Sequence, residues 1–546
     1  MKKIYLTGIA ICATALMSAQ AFWTGTTYKG AFPITDNTPA TDWTDGWCNW
    51  DPENTAYPAT TTTVSADVTS NTTWSGVVLL VNKVFVKNNA VLTIQPGTII
   101  RGDKTSQGTL IITKGAQINA AGTKTAPIVF TSNEAVGNRA EGDWGGVIIL
   151  GKAINNQPGG IANIEGLTVS TDTEHGGSDD NDNSGTLTYC RIEFSGIPLQ
   201  PNKEINGLTM GSVGKATTIR YVQVSFNGDD AFEWFGGTVD AKYLVSYRNL
   251  DDDFDTDFGY RGRIQFAVAV RDPDLSDAAG DSNCFESDND GTGSFAQPLT
   301  APKFSNLTII GAKGSGTVVL PVGEKFEKAF RLRRNTATSC YNSLITGWEK
   351  GLSIEAAETE NNFTGDTARF ESNLLVDFAN NTNVISAPYS FYSWFSARNN
   401  DSTQTKAQVN WVNAFPALGT KPDLRLNTAS TASAGATFTA PGVFTGGFVN
   451  LAKYTKEQFT TITLSPNPSN GNAKLFINSS TNETINVNVE VLDITGKIVL
   501  TPAVNQSINF GYNNIDINAE SLQTGIYFVR LSSINGNEVV KLIISK

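Results

Sequence analysis

The sequence predicts an all-β chain: a parallel β-helix solenoid followed by a small immunoglobulin-like β-sandwich. Three observations lead there. Residues 84–133 break into runs of three to five β-forming residues divided by Gly, Asn and Pro, and VKNNAVL from Val86 returns as ITKGAQI from Ile112, 26 residues on. Repetition at that period marks a solenoid, and strands so short suit a coil of three stacked on the next coil rather than a sandwich. Charged residues make up only 17% of the 546, Gly alone contributes 50, and no long run with helical period appears, so strands and turns dominate. After a Thr/Ala/Gly/Ser-rich stretch at 426–447, the runs become longer and alternate regularly, as in VEVLDITGKIVL at 489–500 and SLQTGIYFVRL at 521–531. That pattern fits a seven-stranded sandwich of about 85 residues.

Taken in order, the first element is residues 1–21, MKKIYLTGIAICATALMSAQA: two lysines, an apolar run and then small residues. This reads as a secretory signal cleaved after Gln20 or Ala21. The run is too short to span a bilayer, bulky Ile11 before Cys12 argues against lipid attachment, and no later segment suits a transmembrane helix. Residues 22–74 hold Trp43, Trp47 and Trp50 within eight positions. These tryptophans are expected to cap the solenoid's open end, because a β-helix must cover its terminal coil; stacking on sugar rings is the other reading.

The solenoid itself is placed at 75–445. TYCRIEFSG (188–196), RYVQVSFNG (220–228), KYLVSYRNL (242–250), KFSNLTIIG (303–311), CYNSLITGW (340–348) and RFESNLLVD (369–377) share one plan. An aromatic residue opens, aliphatics alternate, and a polar turn ends most of them. The runs stand mostly 22 to 37 residues apart, so loops of variable length lie between strands, and such loops carry function. The acidic insert 272–290 is the first candidate and 172–183 the second. A linker is placed at 446–460 and the sandwich at 461–546.

Net charge is −12 with a pI near 4.8, an acidic balance that repels phosphate backbones and sets nucleic acid aside as a partner. Outside the signal, Cys48, Cys190, Cys284 and Cys340 are far apart and form no CxxC, which leaves buried thiols or one disulfide and excludes common zinc spacings. The one histidine, His175, sits in a polar loop and reads as a solvated surface residue, so a histidine-rich metal site is ruled out.

The stacked runs resemble the right-handed parallel β-helix superfamily that includes pectin lyases and polygalacturonases, over roughly residues 75–445. The C-terminal motifs LSPNPSNG, DITGKIVL, TGIYFVRL and KLIISK closely resemble the type A sorting domain of the type IX secretion system. On this chain the matching positions are Pro466, Asn467, Pro468, Gly496, Lys497, Gly525, Tyr527 and Lys541. The resemblance implies export across the outer membrane of a Bacteroidota-type bacterium by the type IX machinery. It also implies removal of the domain, leaving the cargo released or attached to the surface. The segment YKGAFPITDNTPATDWTDGWCNW is similar to one found in bacterial β-helix proteins of unassigned function.

The sharpest local signal is NGDDAFEWFGG at 227–237, which returns 22 residues later as NLDDDFDTDFG at 249–259. Residues one coil apart stack about 4.8 Å from each other. With Phe232 over Phe254 inside, Asn227 stacks on Asn249, and Asp229/Asp251, Asp230/Asp252 and Glu233/Asp255 form three acid pairs. Like charges this close raise one another's pKa unless compensated. A cation is one compensation: Asp229, Asp230, Asp251, Asp252 and Asp255, with Glu286, Asp288 and Asp290 of the insert, offer the hard oxygens that Ca²⁺ takes, in an irregular geometry that is not an EF-hand.

Catalysis is a second. GDDAFEW resembles the GDD segment of polygalacturonases, which points to Asp229 and Asp230 with Glu233 beside them, although the family's NTD, GHG and RIK signatures are missing here. A lyase would need Ca²⁺ and a base such as Arg261 or Arg331. The third compensation is structural, with aspartates capping turns through bonds to backbone amides. These readings favour a secreted or outer-membrane surface-attached β-helix that binds a glycan or extracellular-matrix polymer, with Ca²⁺ stiffening the acidic loops and Trp234 and Phe235 as exposed aromatic contacts. A polysaccharide lyase or glycoside hydrolase acting on acidic polysaccharide, and a passive structural surface protein, are the competing classes.

Overall fold

The computed structural model describes residues 22–199, 205–277, 282–314, 320, 323, 325–386, 392–417, 419–437, 459–479, 484–494, 497–509, 511–533 and 536–546. Residues 1–21, expected to be a signal, the expected linker as far as residue 458 and Gly496 of the sorting motif lie outside the described residues. The chain divides into two compact units, Met1–Val443 and Phe444–Lys546.

In the first unit short parallel strands stack coil on coil. One sheet runs through Lys83–Val86, Thr109–Ile112, Gly146–Leu150, Leu208–Val213, Phe232–Gly237, Phe254–Asp257, Phe285–Ser287, Lys328–Leu332, Lys350–Ile354 and Ile385–Ser386, each strand parallel to the next. The other faces of the coil begin as two ladders, one ending in Gln117–Ala121 and one in Ile128–Ser132. Both pair with Gly185–Glu193, one along each half of it. From there each coil carries one long bent strand: Thr218–Ser225, Ala241–Tyr247, Arg263–Val270 and Lys303–Ile310. The strand Arg263–Val270 fills the long interval between the KYLVSYRNL and KFSNLTIIG runs, a coil the sequence reading passed over.

The bend is a single left-handed residue in each strand: Tyr189 (φ 49°), Tyr221 (55°), Tyr243 (63°), Phe266 (62°) and Asn306 (56°). Aromatic residues adopt that conformation reluctantly. Ring stacking offsets the cost, with centroids 4.4 Å apart from Tyr189 to Tyr221, 4.4 Å from Tyr221 to Tyr243 and 5.2 Å from Tyr243 to Phe266. Thus the aromatic residue of the first three repeated runs, Tyr189, Tyr221 and Tyr243, forms a corner on the outside of the solenoid, whereas Phe304 and Phe370 of later runs point into the column and leave the corners to Asn306 and Ser372. The interior is a continuous apolar column from Val68 and Trp74 to Phe370 and Phe395.

The tryptophan-rich segment corrects one expectation. Trp43, Trp47 and Trp50 do not cap the end of the solenoid; they lie along its flank, against the aromatic corners. Trp47 meets Tyr189 and Tyr221 edge-on, Trp43 stacks on Phe32 and packs beside Tyr243, and Trp50 packs edge-on against Tyr247. The stacked corner rings form an apolar stripe that water would otherwise wet, and the strap covers it. The strap runs across the coils, from Gly30 N–H donating to Asn342 O to Tyr57 Oη at 2.9 Å from the Glu193 carboxylate. Val64, Val68 and Trp74 belong to the first rung and begin the column, and its far end packs against Phe363 and Phe395 on the short helices Ala357–Thr364 and Tyr392–Ser396.

The second unit is a sandwich of a three-stranded sheet (Phe459–Ser465, Asn472–Ser479, Gly511–Asn518) and a four-stranded sheet (Ile498–Ile508, Ile485–Leu492, Gly525–Ser533, Gly536–Ile544), paired antiparallel. Alternate residues such as Leu475, Val487, Val489, Val529 and Leu542 fill its core. Asn467 of the sorting motif grips the last strand: its Nδ2 donates to Lys541 O at 2.6 Å and its Oδ1 accepts from Ile543 N–H at 2.9 Å.

Candidate functional site

The site grows out of strand parity on the ten-stranded sheet. Phe232, Trp234, Phe254, Phe285, Phe330 and Leu332 point into the apolar column, so the residues between them face outward. Register then places Ile111, Ile148, Thr209, Glu233, Asp255, Glu286, Arg331 and Ser353 in one outward row. Two inserts, one between Leu150 and Gly185 and one between Glu193 and Leu208, cover the apolar half of the row: Ile164, Leu167 and Ile205 pack on Ile111, Ile148, Leu150 and Phe235. The acidic half stays open beside it.

The turn before these strands is built as the repeat suggested. Asn227 N–H donates to Asn249 Oδ1 at 2.8 Å, and Asn227 Nδ2 donates to Asp230 O at 2.7 Å. Asp252 N–H donates to Asp230 Oδ1 at 2.9 Å, and Asn283 N–H to Asp252 Oδ1 at 2.5 Å. One oxygen of each of these aspartates therefore caps the neighbouring coil, as the structural reading held. Asp253 turns the other way; it is buried, accepts from Ser246 Oγ and pairs with the buried Arg271 at 3.4 Å.

These elements enclose a pocket of about 260 Å³ lined by Glu165, Asn206, Asp229, Asp230, Glu233, Asp251, Asp252, Asp255, Glu286 and Arg331. Two sets of three carboxylates share Asp230: Asp229, Asp230 and Asp251, and Asp230, Glu233 and Asp255. Within each set the oxygens lie within 4.8 Å of one another. Two oxygens that both bind one Ca²⁺ at about 2.4 Å can be at most about 4.8 Å apart, so each set has the span of a hard-cation site, and its donors are all oxygen. Burial first, and neighbouring carboxylates second, push Asp230, Glu233, Asp252 and Asp255 well above the ordinary carboxylate range. Asp251 is pushed up to about 8 by burial, with Asp229 and Asp277 adding to it and Arg271 opposing. Asn206 Nδ2 donates to the Glu233 carboxylate from the second insert.

Other candidate residues fall elsewhere. Glu286 stays on the pocket wall but is held by Arg331 at 3.1 Å and by Arg333. Asp288 is paired with Arg333 at 2.9 Å and Arg334 at 2.6 Å, away from the pocket. Asp290 closes its own turn, accepting from Thr292 N–H at 2.9 Å and Ser294 N–H at 3.1 Å. Arg261 pairs with Asp180 at 2.7 Å and does not line the pocket.

Trp234 and Phe235 are corrected. Trp234 is fully buried against Tyr260, and Phe235 lies under the inserts beside Phe258, so neither is an exposed ligand contact. His175 is also corrected: it is fully buried, with Nδ1 2.9 Å from Ser212 Oγ, and burial pulls its pKa down to about 3. Among the described residues, all four cysteines are free thiols. Glu165 and Asn206, which complete the pocket, were missed; they stand on the aperiodic inserts, where no repeat marks them.

Comparison with known proteins agrees with the strand pattern. Residues 63–416 match the family described as a pectate-lyase-like β-helix domain, and residues 463–545 match the secretion-system C-terminal sorting domain. No protein of curated function matches the chain. Among solved structures, full-length tailspike protein 2 from the Escherichia coli O157:H7 bacteriophage CAB120 aligns at 12% identity over 86% of this chain, which spans 65% of that protein, with a TM-score of 0.18. That overlap is too slight to bear on fold or function. The matched sorting domain makes this a secreted or cell-surface protein handled by type IX secretion, and no helix among the described residues is long and apolar enough to cross a membrane. Over most of its length, the chain belongs to the pectate-lyase-like β-helix family.

Proposed function

We propose that the chain is a surface β-helix that holds a divalent cation, calcium by its oxygen ligands, in the acidic pocket, and binds an anionic glycan through that cation. The observation that carries this reading is the pair of carboxylate sets sharing Asp230 within 4.8 Å. Buried carboxylates this close need protons or a cation, and an extracellular site supplies the cation. With Trp234 and Phe235 buried, recognition by stacking on those rings is withdrawn, and contact through the cation and Arg331 takes its place. After export, removal of the sorting domain would leave the solenoid on the surface or in the medium.

A second reading, a polysaccharide lyase, is favoured by one observation: Arg331 lines the same pocket as the carboxylate sets. Its pairing with Glu286 at 3.1 Å and Glu355 at 3.4 Å favours charge neutralisation over a role as base.

The test uses the chain from residue 22 onward. Calorimetric titration with Ca²⁺ and Mg²⁺ is followed by binding to polygalacturonate, alginate, chondroitin and neutral xylan, with and without chelator. Calcium-dependent binding to the anionic polymers alone supports the proposal. Unsaturated products would convert it to the lyase, and absence of calcium binding would overturn both.

A further inference from the structure

Of twelve large apolar side chains that stand exposed among the described residues, seven lie in the smaller unit, Phe444–Lys546. Several of them are aligned. Cross-strand partners point to the same side of a sheet. Ile498 pairs with Leu492, Leu492 with Phe528 and Phe528 with Lys541, which makes one row across all four strands of the larger sheet. The alternate residues Val489, Val491, Val529 and Leu542 are buried between the sheets, so the row faces outward. Ile526 and Ile543, paired directly, flank it on one side; Arg530, ion-paired to Glu490 at 2.7 Å, and Val539 flank it on the other. Ile498 is 45% exposed, Ile526 44% and Phe528 37%, so half-bared apolar groups form one patch.

The patch is continuous with the sorting motif. Lys541 stands in the row, Lys497 immediately precedes Ile498, and Asn467 fixes the backbone of the same last strand at 541 and 543. Contiguous exposed apolar surface rimmed by polar groups marks a docking surface, and a domain whose family role is sorting must present one to the apparatus that sorts it.

We propose that the outward face of this sheet, centred on Phe528 and Ile526, is the surface the export apparatus reads. Its partner is a type IX component with an apolar groove rimmed by acidic groups that meet Lys497 and Lys541. The proposal rests on the chain being type IX cargo, which a truncation lacking 460–546 tests separately.

The experiment uses the full-length chain in a type IX-competent host. The double variant Phe528→Ser with Ile526→Ser is expected to cut surface and medium appearance at least 10-fold, with folded protein accumulating in the periplasm. Val504→Ser, which removes a 71% exposed side chain outside the row, is expected to export normally. Export of the double variant at the wild-type rate overturns the proposal, and if the truncation is trapped at the same time, the sorting assignment survives. Thermal unfolding of each purified variant checks that the sandwich still folds. If the double variant does not fold, Lys541→Glu, on an exposed side chain, takes its place with the same expected loss. A photo-crosslinker at position 528 in living cells is expected to capture a component of the export apparatus. Capture of a second copy of this chain, of its own solenoid, or of nothing overturns the proposal.

Discussion

Replacing Asp230 by Asn separates a cation site from a purely structural acid cluster, because only a cation site makes the effect depend on calcium. Asn keeps the Oδ1 that accepts from Asp252 N–H at 2.9 Å, so the cap between coils survives and only charge is lost. Asp230 is the one carboxylate common to both sets. Two full charges within 4.8 Å repel by about 3–4 kcal/mol at an effective dielectric near 20, and the folded chain escapes this by taking up protons. Without metal, the variant therefore gains stability at pH 7, about 1–2 kcal/mol once the desolvation of the amide is subtracted. With calcium present, a lost ligand that weakens binding about 10- to 100-fold removes about 1.4–2.7 kcal/mol of ligand-linked stability. The assay is thermal unfolding of wild type and variant, each in calcium and in chelator. The expected result is a Tm raised by about 1–4 °C in chelator and a smaller calcium-induced increase than wild type shows. The same change in calcium as in chelator would refute the cation reasoning and return the cluster to the role of turn capping.

The same groups set a pH dependence. Asp251, raised to about 8 in the folded state, contributes stability that is fully present below its ordinary value and is lost as pH rises through about 8. The metal-free chain is thus expected to lose Tm from about pH 4 to about pH 8 and the calcium-loaded chain to lose much less; parallel curves would contradict this. Trp47→Ala should cost about 3–5 kcal/mol in denaturant unfolding, since the ring is 1% exposed and meets two stacked tyrosines. A cost below about 1 kcal/mol would mean the strap does not hold the flank. Arg331→Ala should weaken binding to anionic polymer while calcium affinity stays the same or rises, as titration with each ligand separately would show; lost calcium binding would speak against that division of labour. Deleting 460–546 should leave folded protein in the periplasm, and normal surface display would sink the sorting assignment.

How much was legible follows from where periodicity reaches. The alignment of 227–237 with 249–259 put Phe232 on Phe254 and Glu233 on Asp255, and both are register partners because no residue is inserted between those coils. The same parity already placed Trp234 inside, since residues i and i+2 share a face once Phe232 is inside. Phe235 does face outward, but the inserts bury it, and an insert without repeat gives no sign of where it folds back. Glu165, Asn206 and the burial of His175 were hidden for that reason. The tryptophan strap was misplaced because its binding face is a ladder of left-handed corner residues, and a φ of 49° at Tyr189 leaves no mark in a sequence. The sandwich was read more fully: strands such as Ile485–Leu492 alternate regularly, and turn motifs stand at strand ends.

The strap changes how the solenoid behaves as a whole. Stacked repeats ordinarily touch only their neighbours and can fray from either end. Here Arg425 Nη1 donates to Thr38 O at 2.7 Å and Lys29 N–H to Ala432 O at 2.8 Å, while Asn49 and Gln223 bond side chain to backbone near the middle. Residues such as Lys29 and Thr38 are thus buttoned to residues about 400 positions later. That closure ties early and late coils into one cooperative block, and it cannot form until the last coils exist. Until the last coils fold, the segment that begins near residue 22 hangs as a loose thread, and only the finished solenoid can be sewn shut.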